Sequence, residues 1–586
     1  MARPSRPEAR RPSVVGRRFA RALWRLLRVY WASPDAPRGT ALLLGAIALE
    51  LATVWTNVLI SDAHRRIFDA LELKNSDAFF ASIGFFLAVT LVFVLASTYR
   101  IFLRQTLEMR WRRGLTAHYI ERWIGARAYV QSKLHGGEID NPDQRIQEDV
   151  RDFVASALGL SLSLLAAVAT LASFGGLLWR QSSEWPIRVA GTEFQVPGLM
   201  IWVAAVYAFF SMWITHVVGR RLVPINFDRL RLEADFRYGL VRFRDNVEAV
   251  VLSRGEAAER STSLARFFHV IRNWWQLIRA QRNLSLTTTG LGHANDMMPI
   301  LVAAPAYFAH LITLGSIAQM RIAYGHVSGA LIWFVNAYQE IARWRANIER
   351  LAAFADVMDA TERDFATPRI EVVTGSASEL RLSDLRLEAP DGTPVIAAAS
   401  ASVAAGDRVV VTGASGSGKT ILLRAIAGIW PFGSGRVELP RRDRLLFVPE
   451  RPYLPLGSLR AAVSFPAPEG TFPDERIHEV LGLLGLGHLE GRLDAVEPWD
   501  QELSDHERQR LAFVRVLLHE PEWLFLDKAT SALDEAMERR VYELLAQRLP
   551  RATVITAAHR PAVVGYHARR WTIAPQDGGP GRLLAA

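Results

Sequence analysis

The residues with the clearest chemical potential form one loop, Gly413-Ala414-Ser415-Gly416-Ser417-Gly418-Lys419-Thr420. Two glycines separated by four residues and followed by Lys-Thr, between an apolar run at 409–411 and another at 421–423, match the phosphate-binding pattern of strand, loop and helix. A glycine-rich turn is the alternative interpretation, and this context disfavours it. The residues expected to hold nucleotide phosphates are Gly413, Ser415, Gly416, Ser417, Gly418, Lys419 and Thr420.

Each residue type in this loop has a chemical reason to be there. Glycines let successive backbone N–H groups point inward, and the start of the following helix adds its positive dipole end to the same anion site. We expect the Lys419 ammonium to reach the outer phosphates of a nucleotide and the Thr420 hydroxyl to bind Mg²⁺.

Three further apolar runs, at 445–448, 523–526 and 554–556, predict strands that lead to Glu450, Asp527 and His559. In open α/β sheets ligands bind beyond the carboxyl ends of the strands, so these three residues are expected to converge on the phosphate loop. Asp527 is the expected second ligand of Mg²⁺, and His559 is expected to sense the γ-phosphate. A structural carboxylate and a surface histidine are the alternatives.

Composition places these residues in one part of a larger protein. A chain of 586 residues is too long for one core, and half of its residues are hydrophobic. The absence of cysteine excludes disulfides and thiolate chemistry. The net charge of +10 suits nucleic acid or an anionic membrane surface, and the position of the arginines decides between them.

The first part of the chain is predicted to cross a membrane. A bilayer needs about 20 apolar residues, and six stretches qualify: 40–61, 79–103, 154–179, 197–218, 291–315 and 325–346. A basic amphipathic helix at 17–31 precedes them. Segments 104–151 and 220–282 are rich in arginine, whereas 180–196 and 316–324 hold few. The positive-inside rule therefore places the N-terminus, both long loops and everything after 346 in the cytoplasm, and no nucleic-acid partner is needed to explain the charge.

These features predict four regions. Residues 1–38 form a basic tail and an amphipathic elbow helix, and 39–357 form a six-helix transmembrane domain with long cytoplasmic extensions. A polar stretch at 358–378 is interpreted as a linker, and 379–586 as an α/β nucleotide-binding domain. The predicted fold class is an α-helical membrane domain joined to an α/β P-loop ATPase domain.

The order of motifs resembles the ATPase domain of an ABC transporter. After the loop come Glu450-Arg451-Pro452, then Leu503-Ser504-Asp505-His506-Glu507, then Asp527 with Ala529-Thr530-Ser531-Ala532-Leu533-Asp534, and then His559. The membrane part, with Asn141-Pro142-Asp143-Gln144-Arg145-Ile146 and Phe236-Arg237-Tyr238-Gly239-Leu240, resembles the fused half-transporters of ABC subfamily D and the bacterial SbmA/BacA-like peptide transporters.

The resemblance implies a homodimer with twelve spans, alternating between inward-open and outward-open states as ATP closes the ATPase domains. It also implies that each ATP lies between the phosphate loop of one chain and the signature segment of the other, which begins at Leu503-Ser504. Ser504 and Asp534 join the expected nucleotide-binding residues on this basis, and ATP and Mg²⁺ are the implied cofactors. The implied location is a bacterial inner membrane, with the ATPase domain cytoplasmic.

Four positions depart from the family pattern, and all four lie at the nucleotide. Glu450 stands where glutamine is usual, Lys528 replaces the glutamate that polarises the attacking water, Asp505-His506 replaces one or two glycines, and Ala389 replaces an adenine-stacking aromatic residue. A lysine ammonium is not a base at neutral pH, and general-base assistance is worth roughly 10² to 10⁴ in rate. Two hypotheses follow: Glu450 takes over water orientation or base duty while Lys528 pairs with it or with the γ-phosphate, or the site binds ATP but hardly hydrolyses it.

Three hypotheses about function remain open at this point. The first is ATP-driven transport of a bulky amphipathic cargo, with peptide uptake ahead of cobalamin-like or acyl substrates. The second is a proton-driven carrier with a nucleotide-sensing, weakly hydrolysing ATPase domain, which Glu50, Asp296 and Glu340 inside or near the predicted spans would serve as a proton path or as vestibule residues. The third is a membrane receptor or scaffold.

Overall fold

The computed structural model describes residues 12–125, 141–183, 186–189, 192–366, 369–375, 378–558, 560–576 and 579–585. Within it the chain forms two compact units, one containing residues 1–121 and 141–355 and the other 122–140 and 356–586. The first unit is helical and the second is built around a sheet.

Long helices dominate the first unit because its apolar stretches contain few turn residues. A short two-stranded hairpin, β1 (Pro186–Val189) with β2 (Thr192–Gln195), connects two of them. The helices are α1 (Pro12–Trp31), α2 (Ala36–Glu72), α3 (Ser76–Gly125), α4 (Pro142–Ser182), α5 (Leu199–Gly219), α6 (Leu222–Asp245), α7 (Val247–Leu252), α8 (Glu256–Phe308) and α9 (Leu314–Ala366).

Four of the six predicted spans are confirmed as helices that are long and apolar enough to cross a bilayer. The predicted stretches 40–61, 79–103, 154–179 and 197–218 lie within the helical segments Ala36–Glu72, Ser76–Gly125, Pro142–Ser182 and Leu199–Asp245. The segments Ser76–Gly125 and Leu199–Asp245 extend well past the apolar part, so that the arginine-rich sequence after the second and fourth spans continues as helix. The first unit is therefore a helical membrane region.

The other two predicted spans need correction, because no comparably apolar helix appears there among the described residues. The prediction 291–315 is wrong at its end, since α8 stops at Phe308 and His310 takes a left-handed backbone with φ of 59°. Its apolar run is also interrupted by His293 and Asp296, whereas 325–346, inside α9, is interrupted by Glu340 and two arginines.

The predicted amphipathic helix begins at Pro12 and packs onto the membrane unit through its apolar face. Tyr30 is 1% exposed and stacks on Trp111 with ring centroids 5.9 Å apart. Gly39 makes this packing possible, because a Cβ atom there would lie 2.6 Å from the Tyr30 hydroxyl. Trp24, on the other face, is 68% exposed, as expected of a helix that lies on a membrane surface.

A buried ion pair fixes the start of α4 to α9. Arg350 donates to both carboxylate oxygens of Asp149, over 2.5 and 2.9 Å, and Arg145 donates to the same carboxylate over 2.8 Å. Asp149 is 3% exposed and ends a π-helical turn that starts at Arg145. This places the Asn141 to Asp149 segment, which carries part of the family resemblance, in a fixed position.

Replacing Asp149 by asparagine is expected to destabilise the protein by about 2 kcal/mol, because two arginines lose their carboxylate partner. This cost is smaller than that of breaking a deeply buried ion pair, because Arg350 is half-exposed. Thermal unfolding in detergent would show the change. Asp152→Asn is the matched control, because its pair with Arg151 is 2.8 Å long but exposed on both sides. An equal effect of both substitutions would contradict the expectation.

The second unit contains one ten-stranded mixed sheet with the order β3-β7-β4-β5-β12-β11-β6-β10-β9-β8. The part from β6 through β10 and β9 to β8 is parallel, as the sequence predicted, and β4 is antiparallel to both of its neighbours. The strands are β3 (Ile370–Thr374), β4 (Leu380–Glu388), β5 (Pro394–Val403), β6 (Arg408–Gly413), β7 (Gly433–Leu439), β8 (Leu445–Val448), β9 (Trp523–Asp527), β10 (Thr553–Ala557), β11 (Arg569–Gln576) and β12 (Gly579–Ala585).

Helices cover this sheet and complete its core. They are α10 (Lys419–Ile426), α11 (Leu459–Ser464), α12 (Asp474–Leu483), α13 (Trp499–Glu502), α14 (Asp505–His519), α15 (Glu535–Arg548) and α16 (Pro561–Val564). Three strands of the parallel part, β6, β9 and β10, are largely buried on both faces, so they read as continuous apolar runs in the sequence, whereas β8 at the sheet edge is partly buried. Regular structure also occupies part of the predicted linker, since α9 continues to Ala366 and β3 pairs with β7.

Candidate functional site

The phosphate-binding loop connects β6 to α10, and its backbone has the shape that its glycines allow. Gly413, Gly416 and Gly418 take φ angles of 151°, 79° and 97°, in the region that favours glycine. Space is restricted at two of them: a Cβ atom on Gly413 would lie 2.7 Å from the Ser417 hydroxyl, and one on Gly418 would lie 2.8 Å from Val395. Only glycine fits the loop at these two positions.

Lys419 lies inside the loop. It is 4% exposed, and its ammonium donates to the carbonyl oxygens of Gly413 and Ala414 over 2.7 and 2.8 Å. Burial lowers the pKa of Lys419, and the nearby charge of Lys528 lowers it further. An ammonium held in this way is positioned to exchange carbonyl oxygens for the oxygens of a phosphate.

Thr420 and Asp527 are neighbours, although 107 residues separate them in the chain. The Thr420 hydroxyl donates to the Asp527 carboxylate over 3.0 Å. Burial raises the pKa of Asp527, against the opposite effects of the Thr420 hydrogen bond and the Lys528 charge. A partly buried carboxylate beside a hydroxyl is a pair of oxygen ligands suited to Mg²⁺.

Glu450 and Lys528 form an ion pair next to this site. The Lys528 ammonium lies 3.5 Å from a Glu450 carboxylate oxygen, and both side chains are partly exposed. Adjacent parallel strands explain the contact, because Glu450 follows β8 and Lys528 follows β9. Lys528 takes a left-handed φ of 52°, which is uncommon for a residue with a side chain, and its N–H donates to the carbonyl of Ala557 over 3.0 Å.

Gln509 joins three parts of the site, and no motif in the sequence singled it out. It is 3% exposed, and its amide donates to the Glu450 carbonyl over 2.9 Å and to the Ser531 hydroxyl over 3.0 Å. Its carbonyl accepts from the N–H of Ala532 over 2.9 Å. Its neighbours in the chain are Arg508 and Arg510, so the local sequence gives no sign that this polar residue is buried at the site.

Ser504 and Asp534 both cap helices. Ser504 begins α14 in a capping box with Glu507, and Asp534 begins α15 by accepting from the N–H of Met537 over 2.7 Å. Burial opposes ionisation of Glu507, but the hydrogen bonds from Ser504 outweigh it and lower the pKa of Glu507. Neither cap makes a hydrogen bond to the described residues of the phosphate loop within one chain.

His559 lies outside the described residues, so its expected role as γ-phosphate sensor stays a prediction. Ala557 and Ala558, just before it, continue β10 beside the loop: Ala557 pairs with Val411, and the N–H of Ala558 donates to the carbonyl of Val411 over 3.3 Å.

The residues present fit ATP and Mg²⁺. The Ser417 hydroxyl is buried and has no hydrogen-bond partner among the described residues, and Lys419 and the loop glycines surround the same space. Thr420 and Asp527 would hold Mg²⁺ together with phosphate oxygens, and the described part of the chain has no group of three or more His, Asp or Glu that could hold a metal ion without a ligand. Bound Mg²⁺ would neutralise charge on the phosphates.

Comparison with known families agrees with both units. Residues 26–308 match the model described as ABC transporter transmembrane region 2, and residues 396–531 match the model described as ABC transporter. An uncharacterized ABC transporter ATP-binding protein of Synechocystis sp. is 34% identical, with 91% of this chain and 81% of that protein aligned. The chain belongs to the ABC transporter family.

Other relatives of this ABC transporter cover nearly the whole chain. The inner membrane ABC transporter ATP-binding protein YddA of Escherichia coli is 30% identical, over 92% of this chain and 94% of its own length. ABC transporter D family member 2 of Arabidopsis thaliana, a chloroplastic protein, is 30% identical over 94% and 85%. The human lysosomal cobalamin transporter ABCD4 is 26% identical over 82% and 83%. The predicted relationship to subfamily D and its bacterial relatives is therefore confirmed.

These results establish a membrane protein that couples ATP hydrolysis to transport. One chain fuses an ABC membrane region to an ABC ATPase domain, so it is a half-transporter. ATP with Mg²⁺ is the nucleotide cofactor that this ATPase family uses.

Proposed function

We propose that this half-transporter acts as a homodimer that takes up peptides, or similarly bulky amphipathic molecules, across a bacterial inner membrane. The fusion of one membrane unit to one complete phosphate-binding site carries the proposal. A second copy is needed because Ser504 makes no hydrogen bond to the loop of its own chain, and a facing copy would bring a signature segment to each nucleotide. Two copies would bring together eight helices that are long and apolar enough to cross a bilayer, four from the described part of each chain.

Orientation and location follow from charge. The basic segments after the spans in α3 and α5 support a cytoplasmic location for those helix ends, the N-terminus and the ATPase unit. The name of the Escherichia coli relative supports an inner-membrane location. The membrane orientation then accounts for the net positive charge of the chain, and we propose no nucleic-acid partner.

For the reaction itself, we assign Thr420 and Asp527 to Mg²⁺, the loop residues with Ser504 and Asp534 to ATP, and His559 to the γ-phosphate. Glu450 is assigned as the base or orienting group for water, with Lys528 holding its carboxylate. The 3.5 Å ion pair between Glu450 and Lys528 supports this assignment over unrelated changes at the two positions.

A proton-driven carrier with a nucleotide-sensing ATPase unit is the second candidate. The replacement of the usual glutamate by Lys528 favours it, because this replacement removes the ordinary general base. Cobalamin or acyl cargo is a further alternative to peptide, and the name of the human relative favours cobalamin.

Transport in proteoliposomes tests the proposal. Wild-type protein with internal or external ATP is expected to move a labelled amphipathic peptide, and Lys419→Ala is expected to lower both ATP turnover and flux about 100-fold, because the buried ammonium at the phosphates is lost. Arg441→Ala, an exposed site in the same unit, is the control. Flux that persists in Lys419→Ala and collapses with a proton uncoupler would instead establish the second candidate.

A further inference from the structure

A cavity of about 440 Å³ lies in the membrane unit and is lined by residues of α2, α3, α4 and α9. Its walls combine charged groups, Glu50, Arg100 and Arg104, with the apolar side chains of Ile101, Leu162 and Trp333. A cavity of this size accepts a small molecule or one end of a larger one, and walls that mix charge with apolar surface suit an amphipathic ligand.

Missing side chains create the cavity. Gly159 of α4 and Gly325 and Gly329 of α9 line it, and a Cβ atom on Gly325 or Gly329 would meet nothing within 4 Å. Open space at these positions allows a ligand to approach the helix backbone.

Two of the charges lining the cavity neutralise each other. Glu50 is 6% exposed, and its carboxylate accepts from the Arg100 guanidinium over 2.6 Å, which joins α2 to α3. Glu50, one of the acids that the sequence placed within a span, is therefore a partner in a buried ion pair. Asp296 and Glu340 are exposed instead.

Arg104 lies one helical turn beyond Arg100 and has no such partner. Among the described residues, no carboxylate oxygen lies within 4.0 Å of a nitrogen of the Arg104 guanidinium. The carboxylate of Glu340 lies on the other side of Gly159. A Cβ atom on Gly159 would lie 3.5 Å from the Arg104 guanidinium and 3.8 Å from the Glu340 carboxylate. Both groups face the same gap over a bare glycine without bonding to each other.

We propose that Arg104 recognises the carboxylate of an amphipathic substrate whose apolar part lies against Ile101, Leu162 and Trp333. The inference rests on the proposed transport function and adds the chemical class of the cargo. A guanidinium presents two parallel N–H donors that match a carboxylate, and an unpaired charge in a membrane domain is stabilised by a counter-charge that arrives with the ligand. The carboxylate comes from the C-terminus of a peptide or from a fatty acid.

Substitution of Glu340 is expected to affect ligand binding in the opposite direction to substitution of Arg104. Its carboxylate faces the same gap and repels an anionic ligand, so Glu340→Gln is expected to strengthen binding, whereas Arg104→Gln is expected to weaken it. A ligand that also needed Glu340, such as a zwitterion, would lose affinity in both variants.

Equilibrium binding to the full chain in phosphatidylcholine nanodiscs, corrected with empty nanodiscs, tests the proposal. One arm compares a short apolar peptide with a free C-terminal carboxylate against its C-terminal amide, and the other compares dodecanoate against dodecanol. Wild-type protein is expected to prefer the carboxylate about tenfold or more in at least one arm, which identifies the source. This comparison between ligands does not depend on the folding of any variant.

Variants then show which residue causes the preference for a carboxylate. Arg104→Gln is expected to remove it, Arg104→Lys to keep part of it, and Glu340→Gln to increase it a few-fold. Arg112→Gln, an exposed arginine on the same helix, is the matched control and is expected to change nothing. A wild-type protein without carboxylate preference in either arm, an unchanged preference in Arg104→Gln, or weaker binding in Glu340→Gln would each overturn the inference.

The two proposals fail separately. ATP-driven flux of a labelled peptide without any carboxylate preference removes Arg104 as the recognition residue and leaves the transport function in place. Carboxylate preference through Arg104 without ATP-driven flux does the reverse.

Discussion

Glu450→Gln is expected to lower ATP turnover about 100-fold or more while changing ATP affinity only a few-fold. The amide keeps the shape of the carboxylate but cannot accept a proton, and a positioned base is worth roughly 10² to 10⁴ in rate. The backbone at this position would stay in place, because Gln509 holds the Glu450 carbonyl rather than its side chain. Steady-state ATPase activity and nucleotide binding by the purified protein would be measured together.

Glu543→Gln, an exposed site on α15, is the matched control and is expected to leave turnover unchanged. If Glu450→Gln also leaves turnover unchanged, Glu450 is not the base. Turnover that is already negligible in wild-type protein would support a nucleotide-sensing ATPase unit instead.

The double variant Glu450→Gln with Lys528→Glu adds a positive test of the same idea. It restores the residue types that are usual in the family at both positions, and the two side chains are in contact, so their effects are expected to be non-additive. Turnover is expected to recover in the double variant relative to Glu450→Gln. Lys528→Glu alone places two carboxylates together and is expected to reduce turnover.

Asp527→Asn is the second large effect, and it acts in opposite directions on activity and stability. Loss of the carboxylate removes a charged ligand of Mg²⁺, so turnover is expected to fall by about 100-fold or more and the Mg²⁺ requirement to rise. The asparagine carbonyl can still accept from the Thr420 hydroxyl, which keeps the local packing. Nucleotide-free Asp527→Asn protein is therefore expected to be folded, and slightly more stable than wild type.

The stability increase follows from the raised pKa of Asp527, which burial causes. A carboxyl group whose pKa is raised on folding favours the folded state when protonated, and this contribution is lost as the pH rises from its unfolded pKa through its folded one. At neutral pH the ionised carboxylate opposes folding, and asparagine removes that opposition. Thermal unfolding without nucleotide would show that Asp527→Asn is more stable than wild type at neutral pH, and that this difference becomes smaller at acidic pH. A variant less stable than wild type at neutral pH would contradict this account.

Much of the ATPase site could be predicted because its residues come directly after strands. Parallel strands buried on both faces appear in the sequence as apolar runs, and their carboxyl ends lie at one edge of the sheet. The sequence predicted that Thr420 and Asp527 would share Mg²⁺, and it offered a pairing of Lys528 with Glu450 as one of two hypotheses; both pairs are in contact.

Other contacts depend on information that a single sequence does not carry. The Glu50 and Arg100 pair requires the register between two membrane helices, which an apolar pattern leaves undetermined. Gln509 acts through three backbone and side-chain contacts from the middle of a helix, where a polar residue has no local signal. The end of α8 at Phe308 was missed because apolar residues continue past it.

The left-handed backbone of Lys528 affects how this protein could be altered by selection. A side chain in that conformation costs roughly 1 kcal/mol, which glycine would not incur, so selection for folding alone favours its removal. A library screened only for heat resistance would therefore enrich glycine at position 528, next to the carboxylate that we assign to water. Screens for more stable forms of this transporter need a turnover measurement at every round, because one available gain in stability lies at a residue that distinguishes its chemistry.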